Sequence, residues 1–138
     1  MDPTSIAAIS LDLQRAAESL TKLSRDFSLA VRIAFRDVVT VRKELGSLLE
    51  VLKMLQEEME GDLARDIPDG VLGQLSIAMT SCNTIFGQIS AVLEGYLQED
   101  NTNSPGWVEF GRQEIERLLR DLNGHRVALD WGLQTVAL

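Results

Sequence analysis

Apolar residues recur along this chain with the alternating three-and-four spacing of helix faces. Ile6, Ile9, Leu13, Ala16, Leu20, Leu23 and Phe27 form a first stripe. Pro3 suits the opening turn, where its missing N–H breaks no bond, and Asp2 stands where it can cap that turn. A second stripe runs through Phe27, Val31, Ala34, Val38, Val41, Leu45, Leu48, Leu52, Leu55 and Met59. Extending the first stripe unchanged would carry Asp37 and Glu44 into the core. The apolar phase therefore slips by one residue between Ala30 and Val38, which predicts a kink or short break, with Asp37 capping the helix that follows. Glu57, Glu58, Glu60 and Asp62 crowd the end of that helix and oppose its dipole, so fraying is expected around Gly61.

The segment "GDLARDIPDG" (61–70) reads as a loop. A third stripe follows through Val71, Leu75, Ala78, Cys82, Ile85, Ile89, Val92 and Tyr96, widened by Leu72, Met79, Phe86 and Leu93. "QEDNTNSPG" (98–106) reads as a second loop. The last helix carries Val108, Ile115, Leu118, Leu119, Leu122, Leu129, Leu133 and Val136, with Glu109, Arg112, Glu116, Arg120 and Asp121 on its other faces. The pattern predicts an all-α bundle of four or five long amphipathic helices in a single domain, 1–138. Leu48, Leu52, Leu75, Cys82, Ile89, Leu118 and Leu122 should share its core. Gly46, Gly87, Gly95, Gly111, Gly124 and Gly132 fall inside the periodic segments. A helical glycine costs about 1 kcal/mol relative to alanine, so several of these should mark close helix crossings or kinks.

The third helix changes the picture in one respect. No charged residue occurs from Gly70 to Leu93, a stretch long enough to span a bilayer. Gln74, Ser76, Thr80, Ser81, Asn83, Thr84, Gln88 and Ser90 lie within it, however, and favour a central helix packed in protein over one in lipid.

Hydrophobic residues make up 45% of the chain, enough for a packed core rather than disorder. The formal net charge of -8 argues against a nucleic-acid partner. That charge is uneven. Residues 1–43 hold seven Lys/Arg against five Asp/Glu, and the remainder holds six against sixteen. Only the N-terminal third would tolerate an anionic lipid surface.

Candidate chemistry is sparse. Cys82 is the single cysteine and sits on the inner row of the third helix, which predicts a small buried hydrophobe rather than a reactive thiol. His125, the single histidine, falls on the apolar row of the last helix with no partner nucleophile, which favours a packed or half-exposed histidine over a general base. One Cys and one His cannot make a structural zinc site, the acidic clusters lack calcium-loop spacing, and no phosphate-binding glycine motif occurs. No enzyme activity and no cofactor are expected. With no signal peptide, no N-myristoylation glycine after Met1, no glycosylation sequon and no cysteine pair, a cytoplasmic setting fits best.

Several stretches taken in order resemble a known family. "MDPTSIAAIS" is similar to the opening of HeLo-like N-terminal domains of fungal STAND (NOD-like receptor) proteins. "FSLAVRIAFRDVVTVRKELGSLLEVLKML" is similar to that family's hinge and the helix after it. Leu75, Cys82, Phe86 and Ile89, and then "LNGHRVALDWGLQ", continue the likeness, with His125-Arg126 where a Tyr-Lys pair is common. The resemblance implies a helical bundle at the N-terminus of a longer receptor. It implies a non-enzymatic effector that homo-oligomerises, works with downstream domains of the same chain, and perturbs the plasma membrane through its released first helix in cell death. The uncapped apolar end "LQTVAL" also points to a chain that continues.

Ile6, Ile9, Leu13 and Leu20 would be the membrane-active face of that helix. Asp12, Gln14, Arg15 and Glu18 interrupt it, and its charge-free part runs only from Pro3 to Leu11, far short of the ~20 residues of a span. Two readings stay open: a core helix of the bundle, or an amphipathic helix that lies in the membrane interface. The alternative to a membrane effector is a helical adaptor that binds partner proteins and has no membrane activity.

Overall fold

The computed structural model describes residues 2–98 and 106–137. Four long helices, α1 (Pro3–Ala30), α2 (Phe35–Glu60), α3 (Asp69–Gln98) and α4 (Arg112–Ala137), make an all-α bundle with no strand among the described residues. Cross-helix contacts give the directions. Ser10 bonds to Leu52 while Ser28 meets Arg42, so α1 and α2 run antiparallel. Asp37 meets Arg112 and Glu44 meets Arg126, so α2 and α4 run parallel. Leu75 lies against Gly132 and Tyr96 against Gly111, so α3 and α4 are antiparallel. Each helix packs on two others, in the cyclic order α1, α2, α4, α3. The link from α2 to α3 therefore crosses a diagonal at one end of the bundle, with a turn of 3-10 helix at Ala64–Asp66 along the way.

The slip in apolar phase between Ala30 and Val38 is a real break. Val31 leaves helical geometry (φ -118°, ψ 82°) and a single 3-10 turn, Arg32–Ala34, leads into α2. Asp37 does not cap that helix. Ala34 occupies the cap position and its methyl side chain cannot bond; the amides of Ala34 and Phe35 instead donate to the carbonyls of Val31 and Arg32 through the 3-10 turn. At the other end of α1, the Asp2 carboxylate does cap, accepting from the Ser5 amide at 2.8 Å.

Asp37 lies within the first turn of α2 instead, and one of its oxygens accepts from Trp107 Nε1 at 2.9 Å and from Arg112 Nε at 3.1 Å. Trp107 is fully buried. Its ring lies 4.9 Å from that of Phe27 on α1 and meets Tyr96 on α3 edge-on at 5.4 Å. One side chain thus touches α1, α2 and α3 from the start of α4. A turn of π-helix, Trp107–Gly111, makes this geometry. The wide turn brings Trp107 in and leaves Val108 and Phe110 out, so Val108, expected on the inner stripe, is 38% exposed.

Two of the six glycines expected inside helices mark close approaches. A Cβ on Gly111 would stand 2.5 Å from the Trp107 ring and 2.9 Å from that of Tyr96, and one on Gly132 would collide with a methyl of Leu75. Gly46, Gly87, Gly95 and Gly124 face open space and mark no crossing. Nor is α3 a central helix. A ring of four helices has no middle member, so Gln74, Thr80, Thr84 and Gln88 are exposed. The Thr80 and Thr84 hydroxyls satisfy themselves on carbonyls one turn back, at 2.9 and 3.2 Å. The expected loop at 61–70 ends early, since α3 starts at Asp69. The expected loop at 98–106 falls, apart from its ends, outside the described residues.

Stability should follow these contacts. Gly46→Ala and Gly87→Ala should each add about 0.5–1 kcal/mol in urea unfolding, because the methyl meets nothing and the backbone entropy cost falls. Gly111→Ala should destabilise the fold, and Trp107→Ala should cost about 3–5 kcal/mol.

Candidate functional site

The first helix is the element on which the resemblance places an expected role, and its chemistry starts from which face it buries. Ile6, Leu13 and Leu20 are buried in the bundle, and Ile9 is half-buried at the edge of the same core. The face is centred slightly off the expected stripe. Ile9, Ala16 and Leu23 form its rim, while Ser10, Ala17 and Ser24, seven residues apart, lie fully buried. Small side chains at this repeat let α1 lie close to α2. Periodicity of large apolar residues could not reveal this row, because two of its three members are polar.

Polar ties reinforce the seam. Ser10 Oγ donates to the Leu52 carbonyl at 2.6 Å, and Gln14 Nε2 donates to Gln56 Oε1 at 2.7 Å. Gln56 in turn donates to Glu60 at 3.1 Å, and Arg42 Nη1 donates to Ser28 Oγ at 3.2 Å near the far end. No buried side-chain nitrogen or oxygen among the described residues lacks a partner, so the seam carries no stranded polar group. Asp12, Arg15 and Glu18 lie on the opposite, exposed face of α1. Asp12 and Arg15 approach only to 4.0 Å with both side chains more than two-thirds exposed, a pair of little energetic weight. Burying Ile6, Leu13 and Leu20 is worth about 1.5–3 kcal/mol each as an upper bound, so several kcal/mol hold α1 in place.

The seven expected core residues, Leu48, Leu52, Leu75, Cys82, Ile89, Leu118 and Leu122, are all buried in one cluster with the α1 face. His125 is half-buried on α4. Its neighbour Arg126 donates to Glu44 at 2.8 Å and to Asn123 at 2.5 Å, joining α4 to α2. Among the described residues, no group of three or more His, Cys, Asp or Glu side chains could hold a metal ion. None of the described helices is long and apolar enough to cross a membrane. Compared with protein-family models, curated proteins and solved structures, the chain matches none.

Burial pushes the Cys82 thiol up to about 12 from an ordinary value of 9.0, with the Glu44 charge adding to the effect. The thiol should therefore resist an aromatic disulfide reagent in the native protein at pH 8 and react fully once denatured. The raised value also fixes a sign. The stability that protonated Cys82 contributes is complete below pH 9.0 and falls as pH climbs towards about 12, as only the unfolded thiol ionises.

Proposed function

We propose that this chain is a non-enzymatic HeLo-like signalling domain from the N-terminus of a longer fungal NOD-like receptor, whose first helix is held in the resting bundle and exchanged for membrane when the receptor oligomerises. The observation that carries this reading is the two-faced character of α1. Its apolar side is sealed against α2 and α3, and its charges all point to solvent. Such a helix has two places to bury one face, the bundle or a lipid interface, and can occupy only one at a time. With several kcal/mol holding it, a monomer keeps α1 docked. Clustering has to supply the difference, since a conformational shift is driven only by interactions that favour the second state. The output is perturbation of the interface by an amphipathic helix rather than a single spanning helix.

Forced clustering through a fused oligomerising tag should therefore release dye from anionic liposomes, while the monomer should leave them sealed. A Gln14→Cys/Gln56→Cys pair joined by a short bis-maleimide should stop leakage without dispersing the clusters, and the unjoined pair should leak. Cys82 is buried and should not compete for the reagent. A clustered wild-type domain that leaves liposomes sealed would transfer the assignment to a helical adaptor, and leakage by the joined pair would show that α1 need not move.

A further inference from the structure

Charge is unevenly placed on the bundle. At one end lie the close of α2, the α2–α3 link and the start of α3, with Glu57, Glu58, Glu60, Asp62, Asp66 and Asp69. At the other lies the corner where α1 turns into α2. There Lys22, Arg25, Arg32 and Arg36 are all exposed and make no ion pair among the described residues, and Asp26 is the one acid among residues 22–36. The same corner presents large apolar side chains to solvent: Leu29 is 78% exposed, Phe35 54% and Ile33 47%. Phe27 and Val31 supply the buried contacts here, while much of Leu29, Ile33 and Phe35 stays in water.

We propose that the α1–α2 corner, residues 25–36, is a docking surface for an anionic lipid bilayer. Charge complementarity selects this partner. In a chain of net charge -8, cations unpaired among the described residues flank the protruding apolar groups, while Glu94 and Glu109 at the same end lie on the α3–α4 side, across the bundle from the corner, and the acids of the α2–α3 link lie at the far end. Shape agrees. Leu29, Ile33 and Phe35 project from a tight turn at the tip of a helical hairpin rather than lining a groove, so a deformable interface can cover them where a rigid protein would need a matching hollow. Arginine stems lie along the apolar boundary while their heads reach phosphates, and each cation near an anionic leaflet strengthens binding about fivefold. Docking seats the folded bundle corner first on the surface and requires no release of α1, so it stands independently of the proposed membrane-perturbing activity.

The test is co-sedimentation of the monomeric chain with vesicles of phosphatidylcholine, with or without about 30% phosphatidylserine, at low salt and at about 0.5 M salt. Binding should need the anionic lipid and fall with salt. Arg32→Glu/Arg36→Glu and Leu29→Ser/Phe35→Ser should each weaken binding by about tenfold or more, with helical circular dichroism unchanged because all four side chains are exposed. Lys53→Glu/Arg65→Glu, the same charge change away from the corner, should retain binding. Failure of wild type to sediment with anionic vesicles overturns the proposal. So does equal weakening by both charge-reversed pairs, or binding of soluble polyglutamate that ignores Leu29→Ser/Phe35→Ser, which would assign the corner to an acidic protein. A monomer that docks through the corner, combined with clusters that never leak, would uphold this inference and reject the release of α1.

Discussion

Trp107 is the point on which the bundle's assembly depends. Helical hairpins joined by short turns can slide or rotate against one another unless something fixes their register. Here a buried indole from the start of α4 touches Phe27, Tyr96 and the Asp37 carboxylate, one contact on each of the other helices. The Asp37 oxygen that accepts from Trp107 accepts from Arg112 as well, so a partly buried charge is paired and the indole N–H is satisfied by the same group. Gly111 is the matching concession, leaving room for the indole and the Tyr96 ring. With α1's Phe27 held at this end and Ser10 and Gln14 tied to α2 further along, the first helix is fixed at separate points along its length. Any event that frees α1 has to separate Phe27 from Trp107 too.

The distribution of function follows from that arrangement. The interior holds the α1 face that lipid could compete for. The corner beside the tryptophan holds apolar and cationic groups that the fold does not use. The proposed docking corner and the proposed releasable helix are separable features of one helical hairpin: the turn faces outward and the stripe inward.

Much of the fold could be read in the sequence because large aliphatic residues repeat along α2, α3 and most of α4. The α2 stripe from Val38 to Met59 is buried at every position named. Reading failed where other physics sets the geometry. Trp107 follows a polar stretch and begins a π-turn, so no 3.6-residue pattern includes it. Asp37 looked like a cap because it sits near a break, but the 3-10 turn satisfies the helix start and releases the carboxylate for a partner seventy residues away. Glycines carry no marker of their surroundings: Gly111 and Gly132 face side chains, whereas Gly46 and Gly87 face water. For the candidate site, Ile6, Leu13 and Leu20 were legible as one face, but the centring of that face on Ser10, Ala17 and Ser24 was not. The exposed corner was not legible at all, because Leu29, Ile33 and Phe35 look like ordinary members of an apolar run until the turn points them outward.

The two tryptophans give this chain a built-in optical readout. Trp107 is enclosed and lies beside the single tyrosine, Tyr96, whereas Trp131 stands 68% exposed on α4. Excitation absorbed by Tyr96 passes efficiently to a ring so near, and the enclosed indole emits at shorter wavelength than the wet one. An aqueous quencher reaches Trp131 and is kept from Trp107. The spectrum of the unlabelled protein therefore separates into a surface signal and an interior one, and the interior one reports the junction where all four helices meet.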